Sequence, residues 1–186
     1  MSLTAIDART ALLVVDLQEA TAGLPTVHPA GDIVDRSAEL AAAFRAYQLP
    51  VVLINVAGAA PGRNELSQPT DALPPNWADL VPQLKTQPTD HLVTKLTWDA
   101  FTGTDLHTYL QSQNVTQVVV AGIATSIGVE STARSAYALG YNVTLATDAM
   151  TDLDPEAHEN TVDRVFPKLG ETGTVKEITD LVKRSR

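Results

Sequence analysis

The sequence predicts an α/β fold, with a mostly parallel sheet covered by helices on both faces, and three observations lead there. Short aliphatic or β-branched runs alternate along the chain with stretches of helical apolar spacing. Residues 11–15 and 118–121 carry no polar side chain, the mark of strands buried on both faces. In residues 118–134 an apolar run meets Gly122, turns through small and hydroxylated residues, and resumes helical spacing. Backbone N–H groups at such a helix start lack intrahelical partners and can hold a developing negative charge. The same spacing also fits a plain strand-to-helix connection. With neither G-x-G-x-x-G nor a terminal G-K-[ST], no nucleotide loop is supported.

Residues 11–15 are the first strand and stop at Asp16, which places a carboxylate on the C-terminal edge of the sheet, where open α/β sheets bind ligands. Capping of the next segment is the competing role for Asp16. From Asp32 the pattern is helical, with Ile33, Leu40, Phe44 and Tyr47 near one face, and Leu49-Pro50 stops it. Residues 51–55 are the second strand. The stretch 56–76 carries Gly58, Pro61, Gly62, Asn64, Pro69, Pro74 and Pro75, and a connection of that length reads as a lid or an oligomer contact. Arg63, its only cation, is either a substrate contact or an exposed loop residue.

A short helix is expected over 77–84, ending near Pro82. Residues 91–95 are the third strand and end in Lys95, followed by Trp98 and Phe101, which can wall an ammonium group with apolar surface. A lysine at a strand end can equally be solvated. Gly103-Thr104-Asp105 offers an N-cap for a helix through Gln113, with Asn114 as its left-handed stop. Gly140 ends the helix that follows the glycine junction, and residues 141–147 form a strand closing on Asp148. Asp154-Pro155 opens a helix to about Val165, before Pro167. A capping box from Thr174 to Glu177 starts the last helix.

At 186 residues the chain has the length of one domain, residues 1–186, and 44% hydrophobic with 19% charged residues is an ordinary globular composition. A net charge of -9 and a pI near 4.7 argue against nucleic acid and against anionic membranes as partners. No signal peptide or membrane-length apolar run is visible, so a cytoplasmic protein is expected. Zero cysteines remove disulfides, zinc–thiolate sites and thiol catalysis together. His28, His91, His107 and His158 make no metal-binding spacing, so neither a metal nor another cofactor is expected, and His107 and His158 read as surface residues. Ser126 and Ser131 are the hydroxyls best placed for nucleophilic work, yet neither lies in G-x-S-x-G.

Asp16, Lys95 and the 122–134 junction all lie at C-terminal strand ends, so parallel packing brings them to one rim. The run into Asp16-Leu17-Gln18, the Trp98-Asp99-Ala100-Phe101 and Gly103-Thr104-Asp105-Leu106 segments after the lysine, and above all Gly122-Ile123-Ala124-Thr125-Ser126-Ile127-Gly128-Val129-Glu130-Ser131-Thr132-Ala133-Arg134 resemble the isochorismatase-like hydrolase family. The resemblance spans about residues 11–152. It implies a three-layer α/β/α fold with a six-stranded, mostly parallel sheet of Rossmann-like topology. It makes Asp16 the acid/base aspartate and Lys95 the catalytic lysine, with Gly128 where the family's nucleophilic cysteine stands. It implies a cis peptide bond at Ile123-Ala124 shaping an oxyanion pocket with Ser126 and Gly128, and Gln18, Trp98, Phe101 and Arg63 as substrate contacts. Nicotinamidase-type relatives carry a D-x-H metal motif where this chain has Asn55-Val56-Ala57, which disfavours that activity.

The resulting expectation is a hydrolase acting on a small carboxylated or carbonyl-bearing molecule by Asp/Lys acid–base chemistry without a cysteine nucleophile. Vinyl-ether hydrolysis is one form of it, since true isochorismatases are similar in carrying glycine at this position. Isochorismate itself, a dianion, is poorly matched by a rim whose cations are Lys95, Arg63 and Arg134. The alternatives are a non-catalytic binding or scaffold member that lost its chemistry with the cysteine, and a serine-assisted hydrolase using Ser126. Relatives commonly associate, so the resemblance also implies a homo-oligomer.

Overall fold

β1 (Thr10–Val15) is buried at every residue because it runs through the middle of the sheet. The computed structural model describes residues 2–65 and 73–185. Within them, β2 (Val51–Val56), β3 (His91–Lys95), β4 (Gln117–Ile123), β5 (Asn142–Thr151) and β6 (Glu171–Gly173) join β1 in a six-stranded sheet of order β3-β2-β1-β4-β5-β6. Every pairing is parallel. The helices are α1 (Glu19–Ala22), α2 (Ala30–Ala46), α3 (Leu106–Ser112), α4 (Glu130–Ala138), α5 (Pro155–Asn160), α6 (Phe166–Leu169) and α7 (Val175–Arg184).

Period-two alternation sorts the strands' side chains between two apolar layers. Leu12 and Val14 pack with Leu40 and Phe44 of α2 and Ile178 and Val182 of α7. Ala11, Leu13 and Val15 face the opposite way, onto Leu106 and Leu110 of α3, Ala133 and Ala136 of α4 and Phe166 of α6. Burial of each large side chain in these layers is worth about 1.5–3 kcal/mol. Because both faces are covered, a polar residue at the centre of β1 would be buried without water, and this is why the runs are legible in the sequence.

Three expectations are corrected, and the sixth strand is located. β5 continues to Thr151 rather than closing near Asp148; its register to β4 shifts between Val120 and Gly122, and pairing resumes at Met150 and Thr151. β6 has no apolar run to announce it, and exists because Glu171, Thr172 and Gly173 pair with Thr144, Leu145 and Ala146. Pro167 does not end the helical stretch that Asp154 opens. A π-turn (Thr161–Val165) interrupts it, and α6 then starts with Pro167 in its first turn, where no intrahelical N–H bond is required. Pro82 begins a 3₁₀ turn (Pro82–Leu84) instead of ending a helix over 77–84.

The caps expected at Asp154 and Thr174 are present, whereas Asp105 stands at the N-cap of α3 without a side-chain cap hydrogen bond. Asp154 accepts the N–H groups of Glu156 and Ala157, and Thr174 and Glu177 form the reciprocal capping box. Asn114 and Gly140 take positive φ angles at their helix ends. Of the 56–76 loop, residues 66–72, Pro69 included, lie outside the described residues. No described helix is long and apolar enough to cross a membrane.

Candidate active site

From β1 the strand order runs outward through β2 to β3 on one side and through β4 on the other, so the C-terminal ends of β1 and β4 flank the point where an open α/β sheet leaves a crevice. Asp16 follows β1 with φ 52°, a left-handed conformation that aspartate tolerates better than most side chains. Its carboxylate is buried, 5% exposed. Lys95 ends β3, two strands away at roughly 4.8 Å per step, and its long stem crosses β2 to reach the same place. Lys95 Nζ lies 2.7 Å from Asp16 Oδ2 and donates to the Thr97 carbonyl at 3.0 Å. Asp16 Oδ1 is buried with no hydrogen-bond partner among the described residues.

Burial pushes the Asp16 carboxyl up to about 6, and the adjacent Lys95 ammonium opposes that rise without cancelling it. The result is a carboxylate held by one oxygen, with the other unsatisfied and a proton affinity near neutrality. A buried acceptor without a partner costs about 1–3 kcal/mol; Ser37 Oγ and Thr179 Oγ1 share that condition on α2 and α7, and Asp16 Oδ1 is the one that belongs to an ionisable group at the strand-end rim.

The end of β4 supplies the second wall. The peptide bond Ile123-Ala124 is cis. A π-turn (Thr125–Val129) follows and leads into α4. The Ala124 carbonyl accepts from both Ile127 and Val129 N–H, at 3.1 Å each. Gly128 within this turn sits directly against Asp16: a Cβ on it would lie 3.1 Å from Asp16 Oδ2 and 3.2 Å from Val15 Cγ1. Its φ is not in the positive range, so the missing side chain is a matter of space rather than of backbone conformation.

Two contacts that sequence reading missed hold the turn from outside. Asp152, buried just beyond β5, accepts Ser126 N–H at 2.6 Å through Oδ2 and Leu153 N–H at 2.7 Å through Oδ1. The buried Thr125 hydroxyl meets His158 Nδ1 at 2.9 Å. His158 is therefore a buried residue and not the surface histidine expected. Val162, one turn on at i+4, packs against the core, and that spacing was the available signal.

The remaining candidates divide. Trp98, 49% exposed, lines an open cleft of about 410 Å³ together with Asn64, Thr97, Asp99 and Ser131. Thr97 joins that cleft to the buried pair, since its carbonyl accepts from Lys95. Gln18 is engaged internally: its side chain accepts Val56 N–H at 2.8 Å and donates to the carbonyls of Val56 and Trp77, both at 3.1 Å. Phe101 packs beside the α3–α4 layer with its ring 6.1 Å from that of Tyr141. Arg63 stands exposed next to Asn64, and Arg134 is paired with Glu130 at 2.8 Å on α4. Ser126 N–H is already bonded to Asp152, which narrows the turn's free donors. Asn55, in place of a metal-motif aspartate, bonds the Ala78 carbonyl and the Thr94 hydroxyl. Among the described residues no cluster of three or more histidine, aspartate or glutamate side chains could hold a metal ion.

Comparison with known proteins agrees with the fold. A model of the isochorismatase domain matches residues 10–177. The chain is 37% identical over 182 residues to the uncharacterised isochorismatase family protein YwoC of Bacillus subtilis, covering 94% of this chain and 95% of that protein. It is 40% identical over 178 residues to YecD of Escherichia coli O157:H7, an uncharacterised isochorismatase family protein, covering 91% and 94% respectively. The solved structure of an isochorismatase family protein from Burkholderia thailandensis superposes with a TM-score of 0.92 at 39% identity, covering 98% of this chain and 100% of that one. Streptothricin hydrolase of Streptomyces noursei is 34% identical over 156 residues, 83% of this chain and 54% of that enzyme.

Proposed function

Since the chain belongs to the isochorismatase family, we propose that it is a hydrolase of small carboxylated or carbonyl-bearing molecules that works through Asp16 and Lys95 without a covalent nucleophile. The observation carrying this reading is the Asp16 carboxyl: one oxygen lies on the Lys95 ammonium and the other is buried without a hydrogen-bond partner among the described residues, with Gly128 packed directly against the carboxylate. The substrate enters by the Trp98 cleft. A water at the unpartnered Asp16 Oδ1 gives its proton to the ionised carboxylate as it attacks the substrate carbon, and Asp16 then passes that proton to the leaving group. Lys95 and the N–H groups of the Thr125–Val129 turn other than Ser126, Ile127 and Val129 hold the negative charge on the attacked group.

This chemistry has a pH signature. Asp16 must be ionised to act first as base, so kcat/KM is expected to rise with pH through a midpoint near 6 and then level off. A screen of carboxylated esters, amides and enol ethers run at about pH 5, 6 and 7.5 provides the measurement. A rate falling above that midpoint would instead mark vinyl-ether chemistry, in which the protonated carboxyl acts first. A flat profile across this range would remove Asp16 from the reaction.

The buried Asp16–Lys95 pair at the strand-end rim, with one carboxylate oxygen unpartnered among the described residues, favours a reacting site over a purely structural scaffold. The serine-assisted alternative loses support because the nearby imidazole, His158, is bonded to Thr125 rather than to Ser126. Gly128 as the stand-in for the family cysteine yields a further expectation. Gly128→Cys should fold, because the backbone angle is ordinary and the neighbours need yield only a few tenths of an ångström. The new thiol, near the Lys95 ammonium, should be alkylated by iodoacetamide at neutral pH faster than a free cysteine. Nicotinamide hydrolysis should be negligible in the native protein. Robust native turnover of nicotinamide would overturn the thiol-free reading.

The exposed Leu92 (57%), Leu96 (62%) and Trp98 on and just after the edge strand β3 support self-association as part of this reading. Sedimentation at micromolar concentration giving the monomer mass would remove it.

A further inference from the structure

Two side chains from outside the Thr125–Val129 turn hold its first residues, Asp152 at the Ser126 N–H and His158 at the Thr125 hydroxyl. Asp152 also accepts from the N–H groups of its own following residues, which ties its carboxylate to the end of β5. His158 is different. It is carried on α5, a short helix of six residues, and its ring meets that of His28 edge-on at 4.9 Å. His28 in turn places Nδ1 3.2 Å from the Thr151 hydroxyl, at the end of β5. The two imidazoles share a cleft of about 260 Å³ with Glu159 and Asp163.

The hydrogen-bond network assigns the proton. Thr125 Oγ1 is fully buried, and His158 Nδ1 is the partner found for it. A buried hydroxyl proton without an acceptor is costly, so the hydroxyl donates and Nδ1 accepts, which leaves the ring proton of neutral His158 on Nε2. The imidazolium has no lone pair, so on protonation the bond must reverse or break.

We propose that His158 is a positioning residue for the candidate site: in its neutral form it accepts the Thr125 hydroxyl proton and so holds the turn that sets Gly128 against Asp16, and protonation of the ring removes that acceptor and changes how the turn is held. The inference rests on reading the 123–128 turn as part of the reaction site. The charged and titratable groups facing the ring are His28 from the segment before α2, Asp152 after β5, Glu159 on α5 and Asp163 on the following turn. Burial first and His28 second hold His158 below the ordinary histidine range, while the three carboxylates oppose them. The acceptor is thus available at neutral pH and is lost as pH falls below that range.

The test is an NMR pH titration of the ligand-free protein, following the His158 ring and the amides of Thr125 and Ser126. The amides are expected to shift with the midpoint of the ring. That component should persist in Asp16→Asn, which eliminates the neighbouring carboxyl as its source, and disappear in His158→Asn, whose amide oxygen can accept from Thr125 without titrating. In Thr125→Val the ring still titrates, with its midpoint raised because the neutral form has lost a bond, and the amide component is expected to vanish. Should His158→Asn not fold, Thr125→Val alone decides. A component that survives Thr125→Val unchanged is a through-space field and overturns the proposal, as do amides that never follow the ring. No turnover is measured, so the outcome is separate from whether Asp16 and Lys95 perform hydrolysis, which the pH–rate profile addresses.

Discussion

Lys95→Ala is expected to lower kcat/KM by about 10²–10⁴-fold, the span typical of a lost acid–base partner. Lys95 is 2% exposed, and its ammonium supplies both effects that restrain the Asp16 carboxyl. Without it the Asp16 carboxyl rises further, and at neutral pH the fraction available as a base shrinks. The Thr97 carbonyl loses its donor in the same step. Asp16→Asn should cause a loss of similar size, and it is a cleaner variant than Asp16→Ala because the amide oxygen can still accept from Lys95. Removing the side chain outright would strand a buried ammonium, at a cost of about 3–5 kcal/mol of stability. Arg134→Ala is the control. Its half-exposed pair with Glu130 at i,i+4 is worth about 0.3–0.5 kcal/mol, and activity should stay within about twofold. Steady-state rates at several pH values, with thermal unfolding of each variant, give the comparison. Equal activity of all three would show that the site lies elsewhere.

Gly122→Ala is expected to destabilise the protein by more than about 4 kcal/mol. A Cβ at this position would lie 2.0 Å from the Val15 carbonyl oxygen and 2.8 Å from the Val15 nitrogen, both of them backbone atoms. Its φ of 126° is also one that side chains rarely adopt. No rotamer relieves a clash with main chain. Relief would require β1 and β4 to separate where they deliver Asp16 and the cis Ile123-Ala124 bond. Soluble yield and the urea midpoint report the result, and a Gly122→Ala variant of native stability would mean that the two strands approach less closely than described.

The fold is legible because the sheet is covered on both faces. Uninterrupted apolar runs at 11–15, 51–54 and 118–121 read as buried strands, and the caps at Asp154 and Thr174 are local chemistry that side chains and N–H groups two or three residues away complete. What escaped were elements created by a neighbour. β6 is three residues without a hydrophobic pattern, and only the open edge of β5 makes it a strand. Pro167 reads as a stop because its ring forbids a continuous α-helix, whereas a π-turn has already broken the bonding series before it.

In the site the division has the same cause. The sequence determined by itself that a carboxylate, a lysine and a glycine-bearing strand-to-helix junction end at strand termini, because backbone polarity and strand period fix which residues finish a strand. It also determined that no thiol could act, since the chain contains no cysteine. The tertiary structure alone decided that Lys95 spans a strand to bind Asp16, that the Gln18 amide is engaged by Val56 and Trp77 while Phe101 packs near Tyr141, and that Asp152 and His158 hold the turn. Those assignments depend on distances between residues 26 to 79 positions apart, such as Ser126 to Asp152 and Asp16 to Lys95. Such distances are set by sheet order and packing, and no local pattern records them.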